Sequence, residues 1–325
     1  MSGKIIVIEK NYEEPLKDKI RAAAADCGYE VTFYDTQMQA ASAMEDADIV
    51  FAAMIGDVHK ASHLKWLALS SAGAERALAP GALPNDTCLL TNSAGAYGIS
   101  LAEHMLMLTL MLLRRMPVFE EDTAKNRWHA PVPQRSIYKS RVTVLGAGDA
   151  GTRFAERVRG FEPALVTGVS RSGRCRAAGG GAAFDRMVPI SSLDEVLPET
   201  DILAMSLPGT KETAGLLSEE RIALLPRDAV IVNVGRGSAI DEAALIRALE
   251  EGRLWGAALD VMSREPLPQD DPLWSAPNLI LTPHVAGNMT LACTRERCVD
   301  MFCENLYRLA RGEQMKNIVD RQLGY

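Results

Sequence analysis

The sequence has no long apolar run, no excess of positive charge and no paired-cysteine motif, and each absence removes a class of function. Its most hydrophobic stretch, residues 101–113, is too short to cross a bilayer and carries Glu103 and His104. Acidic side chains (42) outnumber basic ones (35), for a net charge of −7, and no basic stripe occurs. Nucleic acid and anionic membrane are therefore poor partners. Six cysteines, Cys27, Cys88, Cys175, Cys293, Cys298 and Cys303, are scattered without a single CxxC pair. That scatter argues against a disulfide framework and for a reducing, cytoplasmic setting, with each thiol acting as a small buried hydrophobe. No metal site is expected. The opening MSGKIIVIEKNYEE has an apolar run too short for a signal sequence, so no export is expected. No internal repeat or low-complexity segment is visible.

What is present is the composition of an ordinary globular protein, 47% apolar and 24% charged. A chain of 325 residues exceeds what one compact core usually holds, so two domains are expected. Residues 1–98 carry the apolar runs KIIVIE, EVTFY, DIVFAA, WLAL and CLLT, with helical segments such as residues 15–27 between them. The following region repeats the alternation with RVTVL, ALVTGV, MVPI, DILAM, AVIVN, GAALD and LILT. Strand alternating with helix implies parallel sheets, hence an α/β protein of two doubly wound parallel-sheet domains.

Two long helices read as connectors. The first should start at Ser100, where Ser100-Leu-Ala-Glu103 has the form of a capping box, and close at Arg114-Arg115 with Pro117 as a stop. Its body is apolar nearly all round, so it should be buried between domains or subunits, and a homodimer is expected. Met105, Met107, Met111 and Met116 are packing residues on this reading. The second helix should start near Asn288 and run to Gly312. The segment after it has no nucleotide motif and is expected to return to the first domain. The domains would then be residues 1–98 plus 288–325, and residues 99–287. Residues 174–183, with Gly179-Gly180-Gly181, read as a flexible loop.

Gly146-Ala-Gly148-Asp149-Ala150-Gly151 directly follows RVTVL and is continued by a helical TRFAERV. A glycine turn alone is a weak signal, but strand–turn–helix is the setting a dinucleotide fingerprint requires. The glycines allow a tight turn and close approach of a pyrophosphate to free N–H groups at the helix N-terminus. The next strand should end beside the adenosine ribose. Proteins specific for NAD usually place a carboxylate there; this chain has Ser170-Arg171-Ser172-Gly173-Arg174. With no carboxylate to repel a 2′-phosphate and guanidiniums to clamp it, NADP(H) should be preferred, with NAD(H) possible.

Three further residues sit just past apolar runs: Arg236 after AVIVN, Glu265 after GAALD and His284 after LILT. In open parallel sheets, ligands bind outside the carboxyl ends of the strands, so the three should converge with the glycine turn. The set suits hydride transfer to a small keto acid. A guanidinium can hold the carboxylate and ketone of a 2-keto acid with parallel hydrogen bonds, and the glycines flanking Arg236 leave room for it. A histidine, with a pKa of about 6.5, suits delivery of the proton. A carboxylate on its other nitrogen would fix the tautomer and stabilise the imidazolium. His284 and Glu265 fit those roles. His59, His63, His104 and His129 read more readily as structural or surface residues, with His104 and His129 nearest the presumed cleft. The small-residue loop Ser70-Ser71-Ala72-Gly73-Ala74 can offer backbone N–H groups to a carboxylate, so Ser71, Ala72 and Gly73 are candidate substrate contacts. Met54-Ile-Gly-Asp57 can shape the same pocket.

Together these segments resemble the D-isomer-specific 2-hydroxyacid dehydrogenase family over nearly the whole chain. The resemblance is carried by LSSAGAE, TNSAGAYGISLAEHML, VLGAGDAG, SLPGTKETAGLLSEERIALL, IVNVGRGSAIDEAAL, GAALDVMSREPLP and LTPHVAG. It implies a flavodoxin-like substrate domain and a Rossmann NAD(P)-binding domain with the active site in the cleft between them. It implies that Arg236 binds the substrate carboxylate and keto oxygen, that His284 is the acid/base and that Glu265 is its partner. It also places Asp260 at the nicotinamide carboxamide and Leu207, Pro208, Thr213, Val234 and Gly287 along the cofactor, and it implies a homodimer. The expected reaction is reduction of a glyoxylate-, hydroxypyruvate- or pyruvate-like acid to the D-2-hydroxy acid. A dinucleotide-sensing corepressor on the same fold is the competing reading. The intact Arg236, Glu265 and His284 and the lack of a basic tail argue against it.

Overall fold

The computed structural model describes residues 3–128, 131–175 and 180–324; His129 and Gly179 lie outside the described residues. The chain divides into two compact units, Met1–Tyr97 with Asn288–Tyr325, and Gly98–Gly287.

The first unit is built on β1 (Gly3–Ile8), β2 (Tyr29–Tyr34), β3 (Ile49–Ala52), β4 (Trp66–Leu69) and β5 (Leu89–Thr91), all parallel in the order β2-β1-β3-β4-β5. This is the flavodoxin-like order. β3 and β4 are buried along their whole length, which is why IVFA and WLAL are unbroken apolar runs. β2 lies at an edge and its YEVTFY alternates polar with apolar. The Ala292–Ala310 helix packs in this unit against the Glu14–Asp26 helix. Arg295 reaches Glu13 at 2.8 Å, and the Tyr307 hydroxyl donates to Asp26 at 2.8 Å. Phe302 from this helix stacks on Phe51 and Trp66, with ring centroids 4.3 and 5.1 Å away. Beyond it, the Val319 amide donates to the Leu90 carbonyl, so the last described segment runs beside β5.

The second unit contains β6 (Arg141–Leu145), β7 (Leu165–Ser170), β8 (Arg186–Pro189), β9 (Ile202–Met205), β10 (Ala229–Asn233), β11 (Leu254–Leu259) and β12 (Leu279–Leu281). All pairs are parallel, in the order β12-β11-β10-β9-β6-β7-β8. This is a Rossmann sheet whose strand order reverses between β6 and β9. Both faces are covered. Along β10, Val230 and Val232 pack with Met105, Leu108, Leu112 and Phe154 on one side, while Ile231 packs with Leu245 and Leu249 on the other. Period-2 side chains entering two apolar layers make a central strand read as a continuous hydrophobic run.

Three sequence expectations about local structure are corrected. The first long helix spans Gly98–Leu113, so Ser100 is buried inside its first turn and does not stand at its N-cap. Pro117 does not stop the chain: it occupies the first turn of a further helix, Met116–Ala124, where its missing N–H costs nothing. The break between the two helices is made by Arg115, whose backbone adopts a left-handed φ of 58°. Its guanidinium lies 3.7 Å over the Trp255 ring, and the Trp255 indole N–H donates to the Leu112 carbonyl at the helix end. The last helix starts at Ala292 and not near Asn288, because the Asn288 side chain accepts from the Thr290 amide and forms a turn instead. Within the glycine-rich stretch, Gly180–Ala183 forms a 3-10 turn with Ala183 and the following Phe184 buried. The Gly98–Leu113 helix is also only partly covered by its own chain. Ala102, Met105 and Leu108 are buried, but Met107 is 43% exposed and Leu101, Leu106, Leu110 and Met111 are half-buried.

Candidate active site

The glycine turn leaves β6 at the point where the strand order reverses. Gly146 takes a φ of 109°, and a Cβ there would lie 2.9 Å from the Ser206 carbonyl oxygen at the end of β9. A Cβ on Gly151 would lie 2.0 Å from the Gly146 carbonyl oxygen. Strand, turn and helix can pack this closely only with glycine. Gly148 is different. It stands at the N-cap of the Asp149–Val158 helix with nothing within 4 Å of its Cβ position. The turn is thus closed on its protein side and open at the helix N-terminus, the cradle a pyrophosphate requires. Asp149 is turned into the fold, bonded to Arg153 at 2.8 Å, and Ala150 follows it in the first turn.

At the end of β7 the Ser170 hydroxyl accepts from the Arg174 amide at 3.0 Å and donates to the Arg174 carbonyl at 2.9 Å. Gly173, at φ 68°, completes the turn. Arg171, Ser172 and Arg174 are exposed on it, and no carboxylate stands in it. Beyond β9, Leu207 is buried, and the Thr213 hydroxyl donates to the Pro208 carbonyl at 2.7 Å, closing that loop.

Arg236 is presented by a turn whose organiser is Asn233, the buried last residue of β10. Asn233 accepts from the Gly235 amide and donates to the Arg236 carbonyl, both at 3.0 Å. Val234 is buried and half-buried Arg236 bonds the Gly235 carbonyl at 2.8 Å. A Cβ on Gly235 would lie 2.6 Å from the Leu207 backbone, and one on Gly237 would lie 1.9 Å from the Met262 carbonyl carbon. Gly237 therefore presses the arginine turn onto the loop after β11.

That loop holds Glu265. One of its carboxylate oxygens accepts from the Met262 amide at 3.0 Å and the other lies 2.7 Å from Nδ1 of His284. His284 has a left-handed φ of 54°, uncommon for a residue with a side chain, and its ring is half exposed. Asp260, at the end of β11, holds this backbone in place. It is fully buried and accepts from the Thr282 hydroxyl at 2.6 Å and the Val285 and Ala286 amides at 2.9 and 3.0 Å, while its own carbonyl accepts from the His284 amide at 2.8 Å. Gly287 follows directly. His104, on the Gly98–Leu113 helix, sits 3.0 Å from the Thr282 hydroxyl. Burial pushes its pKa below the ordinary histidine value, with Asp260 opposing. Sequence reasoning passed over Asn233 and Thr282. A polar residue closing an apolar strand is the signal that points to the first; nothing local points to the second.

In the first unit, the Ser71–Gly73 loop is braced by the Ser71 hydroxyl on the Gly73 carbonyl (2.9 Å) and by Asn92 on the Ala72 carbonyl (2.9 Å). His59 and His63 are exposed on that unit. Among the described residues, no group of acidic, histidine and cysteine side chains is arranged to hold a metal ion.

Residues 106–286 match the model of the D-isomer specific 2-hydroxyacid dehydrogenase NAD binding domain. A glyoxylate/hydroxypyruvate reductase A from Klebsiella pneumoniae strain 342 is 35% identical over 251 residues, covering 76% of this chain and 75% of the relative. Among solved structures, a D-isomer specific 2-hydroxyacid dehydrogenase family protein from Aeromonas salmonicida superposes with a TM-score of 0.86 at 29% identity, covering 99% of this chain and all of that one. An NADPH-dependent glyoxylate/hydroxypyruvate reductase from Sinorhizobium meliloti, solved with NADP and sulfate, gives 0.79 at 27% identity, covering 99% and 100%.

The Gly237 contact yields a prediction. Gly237→Ala forces the Met262 backbone away and should cost about 1–3 kcal/mol of stability, the usual range for overpacking. Denaturant unfolding checks this; an unchanged midpoint would show that the two turns are not tightly joined.

Proposed function

The chain belongs to the D-isomer specific 2-hydroxyacid dehydrogenase family, and on that premise we propose that it reduces a small 2-keto acid of the glyoxylate, hydroxypyruvate or pyruvate type to the D-2-hydroxy acid. The observation that carries the reading is the 2.7 Å contact between His284 Nδ1 and Glu265, on a half-exposed ring. With Nδ1 engaged, Nε2 is the nitrogen left to deliver a proton. Arg236 binds the substrate carboxylate and orients the ketone. The reduced nicotinamide, when bound, supplies the hydride to the carbonyl carbon. His284 gives its Nε2 proton to the carbonyl oxygen, leaving the alcohol and a neutral imidazole that Glu265 keeps in one orientation. The names of the Klebsiella and Sinorhizobium relatives support the choice of acid.

The cofactor is a nicotinamide dinucleotide, and we assign it as NADP(H) in preference to NAD(H). Gly146, Gly148 and Gly151 form the pyrophosphate cradle. The exposed Arg171 and Arg174, on a turn without a carboxylate, suit a 2′-phosphate. A homodimer is proposed from the half-covered, apolar face of the Gly98–Leu113 helix around Met107. The scatter of the six cysteines, without a CxxC pair, favours a reducing, cytoplasmic setting.

His284→Gln should lower turnover by roughly 10²–10⁴, the range for losing a positioned proton donor, with little change in cofactor affinity. Steady-state assays with NADPH and a panel of 2-keto acids measure this; wild-type turnover in the variant, or no oxidation with any acid, would sink the reading.

NADPH should be preferred to NADH by about ten- to a hundredfold, the worth of one charge-assisted guanidinium–phosphate contact. Ser170→Asp should move the preference toward NADH. The check is kcat/KM for both nucleotides in both proteins; equal use by the wild type would mean that the arginines only face solvent.

Light scattering at micromolar concentration should return twice the chain mass. A monomer would show that the apolar face of the helix is tolerated in water.

A further inference from the structure

We propose that His104 is a positioning residue for the proton donor, acting on His284 through the Thr282 hydroxyl and Asp260. The inference rests on the reading of His284 as the donor. His104 projects from a largely apolar helix, and its side chain is only 14% exposed. A polar ring in such a place is costly unless bonded. Its partner is Thr282, at 3.0 Å from Nε2. A threonine hydroxyl has one proton, and here it goes to Asp260 at 2.6 Å. Thr282 must therefore accept from His104, which fixes His104 as the Nε2–H form.

The direction of this relay matters. With His104 donating, the Thr282 hydroxyl cannot rotate, and its proton stays directed at Asp260. Asp260 then keeps its orientation toward the Val285 and Ala286 amides, and its main chain holds the amide of His284. His284 is in the left-handed region, which a residue with a side chain leaves unless it is held. His104 is 3.6 Å from the nearer Asp260 oxygen. Burial favours its neutral ring, so the role needs a hydrogen-bond donor and no charge.

The test compares His104→Leu, His104→Gln, Thr282→Val and Thr282→Ser with wild type and His284→Gln, using NADPH and the best keto acid of the panel. His104→Leu should lower kcat by about ten- to a hundredfold, as small misplacement of a reacting group does. KM for the acid and the Kd of NADPH should move by less than about threefold, since neither of the substituted residues, His104 and Thr282, is placed on a ligand. His104→Gln, whose amide can still donate, and Thr282→Ser should recover most of the loss. Thr282→Val, nearly the shape of threonine, should match His104→Leu, and the double variant should be no worse than either alone. A second readout needs neither substrate nor cofactor. Long-range proton–nitrogen NMR spectra should show His104 as Nε2–H, and Thr282→Val should shift the His284 ring signals. Unchanged kcat in both His104→Leu and Thr282→Val, or a loss that glutamine and serine fail to rescue, overturns the relay while His284→Gln remains impaired. Wild-type turnover in His284→Gln overturns the donor reading and the relay with it.

Discussion

One buried carboxylate organises the chemical end of the second unit. Asp260 is fully buried, and a lone charge there would be prohibitive. It persists because a hydroxyl and two backbone amides donate to it, so its desolvation is offset by contacts that each define a position in the loop after β12. The backbone of His284 is shaped by those bonds rather than by local preference. The left-handed φ of His284 is held from that residue, and with it the position from which the ring reaches Glu265.

The second organising constraint is steric. The turns that carry Gly146, Arg236 and Glu265 touch backbone to backbone. Gly151 lies against Gly146, Gly235 against Leu207 and Gly237 against Met262, each closer than a Cβ permits. Glycine in these places is less about freedom of rotation than about thickness. The strand ends can converge only because their connecting turns are thin.

Much of this was legible beforehand, for a specific reason. The strands of both sheets are covered on two sides, so AVIVN and WLAL appear as plain apolar runs, and the residues after them fall at the ligand-binding edge by topology alone. Arg236, Glu265 and His284 could be picked out on that basis, and Glu265 and His284 do meet. What could not be read was anything set by tertiary packing. Ser100 looked like a cap, but the helix starts earlier. Pro117 looked like a stop, yet Arg115 makes the break and the proline sits in the next helix. His104 and Thr282 are 178 residues apart, and no local pattern links a histidine on an apolar helix to a threonine before a proline.

The return of the chain to its first unit has a consequence for how that unit comes to exist. Phe302 covers Phe51 and Trp66, and the segment around Val319 flanks β5. During synthesis, the amino-terminal sheet must wait with those rings uncovered until the entire dinucleotide-binding unit has left the ribosome. The second unit is continuous in sequence and can close on itself first; the first is completed last. The unit begun first is thus the one completed last, and the nascent chain carries an unfinished aromatic face until its last helix is made.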